Sequence, residues 1–258
     1  MQKLNIQEVP NNFIEVPVFA DEYIFGGNSK IQGDVLRADG DWRSRLAFEN
    51  QYNNGVESMS CTVYGTLSAI EILLTEKFDF STDYSERFTS TLAGTTKSGN
   101  SPHKVGETIR GRGLVSETQL PFSMEITRWE EYFAPIPSQL SREGQKWLKQ
   151  WSFGHDWVIT RDTRKEEKIE LLTDALKFSP VGVSVYGWAD EKGVYVKAGN
   201  DNHWCLLVAG DKDYWYVLDS YAPYLKRLAK NYDFGFAKRY SIERRKSNCL
   251  ETLLEKFK

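Results

Sequence analysis

At Ser179-Pro180 the apolar pattern of this chain changes period. Before that point apolar residues recur mainly at spacings of three and four; after it they fall in short, alternating runs. The first spacing belongs to helices and the second to strands, so helices fill the first part of the chain and a sheet the second. That order predicts an α+β fold. Strands are expected over 181–186, 194–197, 204–209, 214–218 and 234–242. Turns are expected at Gly199-Asn200-Asp201-Asn202 and Asp211-Lys212-Asp213.

The helical part centres on the stretch from Glu49 to Phe78. It opens as a polar, Gly/Asn-rich loop and passes through Ser60-Cys61 into a helix carrying Val63, Leu67, Ile70, Leu73 and Leu74. A second helix is predicted over 103–111, ended by Gly113, and Leu114 to Phe122 reads as extended. Leu140, Trp147, Leu148 and Trp151 share a helical face, with Ser138 or Ser141 as the cap. Thr163-x-x-Glu166 has the form of a capping box for a helix over 164–177. Asn248 to Lys258 reads as an amphipathic helix that packs on the body or on a partner.

At 258 residues the chain is one large domain or two lobes around a cleft. The layout expected for a single domain is an N-terminal extension over 1–40 and a mainly helical lobe over about 41–122. An inserted helical segment over about 123–165, a β lobe over about 166–242 and a C-terminal helix over 243–258 complete it. With 33 basic against 36 acidic residues the net charge is −3, which gives no electrostatic case for nucleic acid or an anionic membrane surface. The N-terminus has no basic-then-apolar signal, and no apolar run is long enough to span a membrane, so a cytoplasmic location is expected.

The cysteines are Cys61, Cys205 and Cys249, an odd number and too few for a disulfide framework. No CxxC or closely spaced Cys/His pair occurs, so neither a metal nor a cofactor is expected. Cys61 stands where a loop turns into a helix, and the unpaired N–H groups and dipole there favour a thiolate. A small buried core cysteine is the other reading of the same position. A nucleophilic thiol needs a base, and the histidines are His103, His155 and His203. If 204–209 and 214–218 form a hairpin centred on Asp211, His203 faces Asp219 across the sheet at a Cβ separation of about 5 Å. The carboxylate would then fix the imidazole tautomer.

Several segments taken together resemble the papain-like cysteine peptidases. They are Asp41-Trp42-Arg43, Asn50-Gln51, Ser60-Cys61, Gly99-Asn100-Ser101-Pro102, Gly113-Leu114, Leu120-Pro121-Phe122, Pro180 to Val185, Asn202-His203 followed by Leu206–Gly210, and Leu218-Asp219-Ser220-Tyr221. They keep that family's order over most of residues 41–242. Cys61 and His203 are 142 positions apart, within the roughly 130–150 that the handful of papain-type motifs requires. The resemblance implies a two-lobed fold, with Cys61 heading the helical lobe and His203 and Asp219 on the β lobe. It also implies Cys61 as nucleophile, His203 as base, Asp219 as orienting acid, Gln51 as oxyanion donor, and Gly99 and Asn100 in the substrate groove.

The chain departs from the family at several points. Met59-Ser60-Cys61-Thr62 replaces Gly-Ser-Cys-Trp, and Asp219 stands for Asn. Gln51 is ten residues ahead of Cys61, a longer loop than usual, which leaves Asn53 or Asn54 as substitutes for the glutamine. About 40 residues precede Asp41, short of an inhibitory propeptide, and no family disulfide can form. The expectation is a divergent member without propeptide or disulfides, cleaving peptide bonds in a peptide or protein substrate. The alternatives are an inactive scaffold used for binding or structure, and an acyl transferase or cell-wall amide hydrolase with the same triad.

Overall fold

The computed structural model describes residues 5–6, 10 and 34–245. The C-terminal helix expected over 243–258, Cys249 and most of the extension over 1–40 lie outside the described residues.

The helix that Cys61 begins, α1 (Cys61–Phe78), is the centre of the molecule. Every residue from Cys61 to Leu74 other than Ser68 is buried, so its first four turns are enclosed on all sides rather than along one stripe. Asp79 ends it in the left-handed conformation, its N–H bonded to the Thr75 carbonyl and the following Phe80 N–H to the Leu74 carbonyl. Helices α2 (Glu86–Leu92) and α3 (Pro102–Arg112) pack against it, and after the short α4 (Trp129–Tyr132) comes α5 (Ser138–Gln150), which packs on α3. Helix α3 begins as its residues dictate, with the Ser101 hydroxyl accepting from the Lys104 N–H, Pro102 at the first position and Gly113 at the end.

The described strands are β1 (Asn5–Ile6), β2 (Tyr52–Asn53), β3 (Val56–Glu57), β4 (Trp151–Ile159), β5 (Val181–Val185), β6 (Ala189–Glu191), β7 (Val194–Val196), β8 (His203–Gly210), β9 (Tyr214–Leu218), β10 (Leu225–Ala229) and β11 (Ala237–Arg244). A last helix, α6 (Lys168–Ala175), precedes β5. Nine strands form one sheet in the order β1-β6-β7-β10-β9-β8-β5-β11-β4, and β2 pairs with β3 as a separate hairpin. Only β7 with β10 is parallel within that sheet. Helix α1 packs on β8, β5 and β11, so the nucleophile candidate and the His203 strand meet at the join between helices and sheet. Gly65 allows this approach, because a Cβ there would lie 3.1 Å from the Trp204 ring.

Three expectations need correction. The segment over 123–165 is not wholly helical: α5 runs directly into the nine-residue β4, which pairs along β11. Ser138 is the first residue of α5 rather than its cap, Pro137 holding the cap position without a side-chain bond. The Thr163 hydroxyl accepts from the Thr160 N–H instead of capping α6, whose cap is Glu167. No helix among the described residues is long and apolar enough to cross a membrane.

Candidate active site

His203 meets Asp219 and the Tyr221 ring, Tyr221 in turn bonds Gln51, and Cys61 at the head of α1 feels the Asp219 charge; none of Cys61, His203, Asp219 and Gln51 is more than 3% exposed. Cys61 is the first helical residue. The Ser60 hydroxyl does not cap the helix; it donates to the Ser58 carbonyl at 2.9 Å and accepts from Ser90 Oγ at 2.8 Å. Burial pushes the Cys61 thiol well above its ordinary value, and the charges of Asp219 and Glu57 act the same way. Hydrogen bonds from the backbone N–H groups of Trp204 and Thr62 oppose that rise without cancelling it. The thiolate expected at the helix terminus is therefore not the favoured form: of the two opposing N–H groups only that of Thr62 belongs to the helix, and enclosure keeps the sulfur protonated in this conformation.

The expected hairpin forms with a different register. Leu206 faces Leu218 and Leu207 faces Val217, which aligns Asp219 with Cys205 rather than with His203. His203 and Asp219 still meet, because residues two apart on a strand share a face and diagonal neighbours are within side-chain reach. His203 Nε2 lies 2.6 Å from Asp219 Oδ1. The register instead brings Tyr221 beside the histidine, with ring centroids 5.4 Å apart.

Asp219 is held from both sides. Its Oδ2 accepts from Trp188 Nε1 at 2.8 Å and from Lys226 Nζ at 2.7 Å, and its Oδ1 also receives the Cys205 thiol at 3.5 Å. Burial alone would raise this carboxyl; His203 and Lys226 outweigh it and hold it at about 2. Lys226 is itself 1% exposed and spends its other protons on the carbonyls of Tyr221 and Pro223, each at 2.7 Å. A buried ion pair satisfied this completely fixes the acid as a carboxylate. His203, Cys205 and Asp219 offer ligand atoms within 4.8 Å of one another. Lys226 already supplies the positive charge there, and burial keeps the Cys205 thiol protonated, so the group suits hydrogen bonding better than a metal.

The surroundings of Gln51 differ from the expectation. Its Nε2 donates to Glu57 Oε1 at 2.6 Å and to the Tyr221 hydroxyl at 2.7 Å, while its Oε1 accepts from Ser220 Oγ at 2.7 Å. Both amide hydrogens are thus committed, and in this conformation Gln51 offers no donor to an oxyanion. Glu57 also accepts from the Tyr221 hydroxyl at 2.7 Å and the Met59 N–H at 3.0 Å. The long loop between Gln51 and Cys61 is the β2–β3 hairpin, turned by Asn54 and Gly55 with φ of 46° and 81°, and Glu57 ends it. Asn53 and Asn54 do not stand in for Gln51; their amides bond the carbonyls of Phe122 and Met124.

Gly99 and Asn100 are buried in a tight turn. The Asn100 amide donates to the Ala93 carbonyl and Thr95 Oγ1, both at 3.1 Å, and its oxygen accepts from the Ser101 N–H. That side chain holds the turn rather than lining a groove. His155 belongs to another cluster: its Nε2 is 2.9 Å from Glu107 Oε1 and its Nδ1 is 2.9 Å from Lys238 Nζ. The site residues that motif reading did not reach are Glu57, Trp188 and Lys226. Only Glu57 had a local signal, the Asn-Gly turn that predicts a hairpin.

No protein-family model matches the chain, and no curated protein matches it in sequence. Solved structures do match. A digestive procathepsin L 3 of Tenebrio molitor larval midgut is 19% identical, over 84% of this chain and 73% of that one, with a TM-score of 0.55. The bromelain protease from Ananas comosus is 15% identical, over 79% and 98%, with a TM-score of 0.52. The clostridial cysteine protease Cwp84 is 14% identical, over 80% and 57%, with a TM-score of 0.57. With likeness in architecture at such low identity, and with the helix head, strand order and sheet described above, the chain has the fold of the papain-like cysteine proteases.

Proposed function

We propose that the chain is a papain-type thiol hydrolase, and specifically a cysteine peptidase. The observation that carries this is the buried His203–Asp219 pair at 2.6 Å, beside a cysteine that heads the central helix. Asp219 engages Nε2, so Nδ1 is the nitrogen that takes the Cys61 proton as the sulfur attacks an amide carbonyl. The same nitrogen returns the proton to the leaving amine, and water then releases the acyl group from the sulfur. Opening of the site precedes all of this, since the sulfur is enclosed and Gln51 is engaged by Glu57.

Cys61→Ala and His203→Ala, assayed beside the unaltered chain on casein and a fluorogenic peptide library, test the proposal. Each should lower turnover by at least 10³-fold, the scale of losing one member of a catalytic unit. A variant with unaltered turnover would refute the assignment. A second reading, a non-catalytic scaffold, is favoured by one observation: the committed Gln51 amide. Iodoacetamide at pH 6 separates them, because fast labelling confined to Cys61 supports catalysis and an inert Cys61 supports the scaffold.

A further inference from the structure

A second cluster of ionisable groups lies behind the loop that carries Gln51 and has no part in the proposed chemistry. Glu49 precedes that loop, Glu71 projects from α1, Asp83 lies just ahead of α2 and Glu86 is the first residue of α2. Glu49, Glu71 and Asp83 each offer one carboxylate oxygen, and the three oxygens lie within 4.8 Å of one another. Beside them is a cavity of about 390 Å³ whose wall includes Glu49, Asp83, Glu86 and Glu117.

Acidic residues gathered at a surface need no ligand, but Glu86 is not at the surface. It is 3% exposed, it faces the cavity, and its Oε1 has no hydrogen-bond partner. Glu49 Oε2 and Glu117 Oε2 are likewise buried without partners. Glu86 shares one hydrogen bond with Glu49, and the Tyr84 N–H donates to Glu71 Oε1 at 2.8 Å, but the charges that Glu71 and Glu86 feel most are those of other carboxyl groups. Buried carboxylate oxygens left this way are costly, and a cation would satisfy several at once.

Size and ligand type decide which cation. Calcium takes six to eight oxygens at about 2.3–2.6 Å in flexible geometry, which suits carboxylates brought together from three separate segments and waters from the adjoining cavity. Magnesium, at about 2.1 Å, demands near-ideal octahedral geometry and dehydrates reluctantly, which side chains from three separate segments satisfy less readily. We propose that Glu49, Glu71 and Asp83, backed by Glu86, bind a calcium-type divalent cation whose remaining ligands are waters in the adjoining cavity. An all-oxygen site of this kind is invisible to a search for Cys and His spacing, which is why no metal was expected. Bound there, the ion ties the Gln51 loop to α1 and α2 without entering the thiol chemistry.

The test uses the full chain stripped with EDTA, titrated with calcium chloride or magnesium chloride in a calorimeter and followed by thermal unfolding. Calcium should bind with a sub-millimolar Kd and raise the unfolding temperature, and magnesium should do so at least ten-fold more weakly. Asp83→Asn, at an exposed position that should not disturb folding, should weaken calcium at least ten-fold, whereas Asp213→Asn should leave it unchanged. Two results would overturn the proposal. One is no heat and no shift with calcium while Glu86→Gln stabilises the metal-free chain, which would mean that shared protons hold the cluster. The other is calcium binding that Asp83→Asn does not weaken, which would place the ion elsewhere.

Discussion

Glu57 brings a negative charge to Gln51, the side chain expected to serve as oxyanion donor. It receives the Gln51 amide, the Tyr221 hydroxyl and the Met59 N–H, and its charge helps to keep the Cys61 thiol protonated. Replacing it should therefore act on both halves of the chemistry. Glu57→Ala should shift the pH profile of Cys61 alkylation to lower pH, measured by iodoacetamide labelling. It should also raise peptide turnover, because a freed oxyanion donor is commonly worth about 10²-fold or more in kcat. Turnover that falls instead would show that Glu57 holds Gln51 in its working position. Lys226 makes a related point about residues and patterns. In Leu225–Ala229 the leucine at 225 is 39% exposed while the lysine beside it is buried, so strand alternation points the wrong side chain inward. The ion pair with Asp219 overrides hydropathy there, and nothing in the local sequence announces it.

The elements best foreseen are those whose residues act locally. Ser101, Pro102 and Gly113 bound α3 by their own chemistry, and the alternation of Tyr214–Leu218 marks β9 to the residue. Elements were missed where a buried polar or charged side chain replaces an apolar residue. In β4 the inward series Trp151, Phe153, His155 contains a histidine, and in β10 it contains Lys226, so neither shows a clean period of two. The hairpin carrying His203 and Asp219 was foreseen, but its register was not: the turn centres between Lys212 and Asp213, with the Asp211 N–H on the Tyr214 carbonyl, and a one-residue shift at Val208, whose carbonyl accepts from the Trp42 N–H, offsets only part of the difference. The contact between His203 and Asp219 was thus legible, whereas the closure around Cys61 was not. Packing of α3 on β4 makes a testable case at this scale. A Cβ on Gly106 would stand 2.6 Å from the His155 ring, a rigid group with both ring nitrogens engaged. Helix propensity alone favours Gly106→Ala by about 1 kcal/mol, but the clash should win and destabilise the chain by about 1–3 kcal/mol in urea unfolding. A stabilised variant would mean that α3 can move off the strand.

At the scale of the whole molecule, His155 links helices to sheet and makes stability depend on pH. Glu107 and His103 face it from α3 and Lys238 faces it from β11. Burial and the Lys238 charge lower its pKa from 6.5 to about 3, so the ring is neutral near pH 7, donating from Nε2 to Glu107 and accepting at Nδ1 from Lys238. Burial would raise Glu107, but its hydrogen bonds to His155 and Arg110 outweigh that and hold it at about 2, so it remains an acceptor throughout the same range. Because the folded pKa of His155 is depressed, the unfolded chain binds the extra proton between the two values. The contribution of His155 is full above about pH 6.5 and is lost as pH falls towards 3, at up to about 1.4 kcal/mol per pH unit. Asp219 adds a similar loss only below about pH 4, between its unfolded value and its folded value of about 2, so it does not contribute to the higher window. Other titrating groups cancel when the chain is compared with His155→Gln, a side chain that cannot take up the proton. In urea unfolding the native chain should exceed that variant most at pH 7, and its advantage should shrink by about 1–3 kcal/mol by pH 4.5. An advantage constant over that window would mean that His155 titrates alike in the folded and unfolded chain, and that the α3–β4 junction carries no such pH dependence.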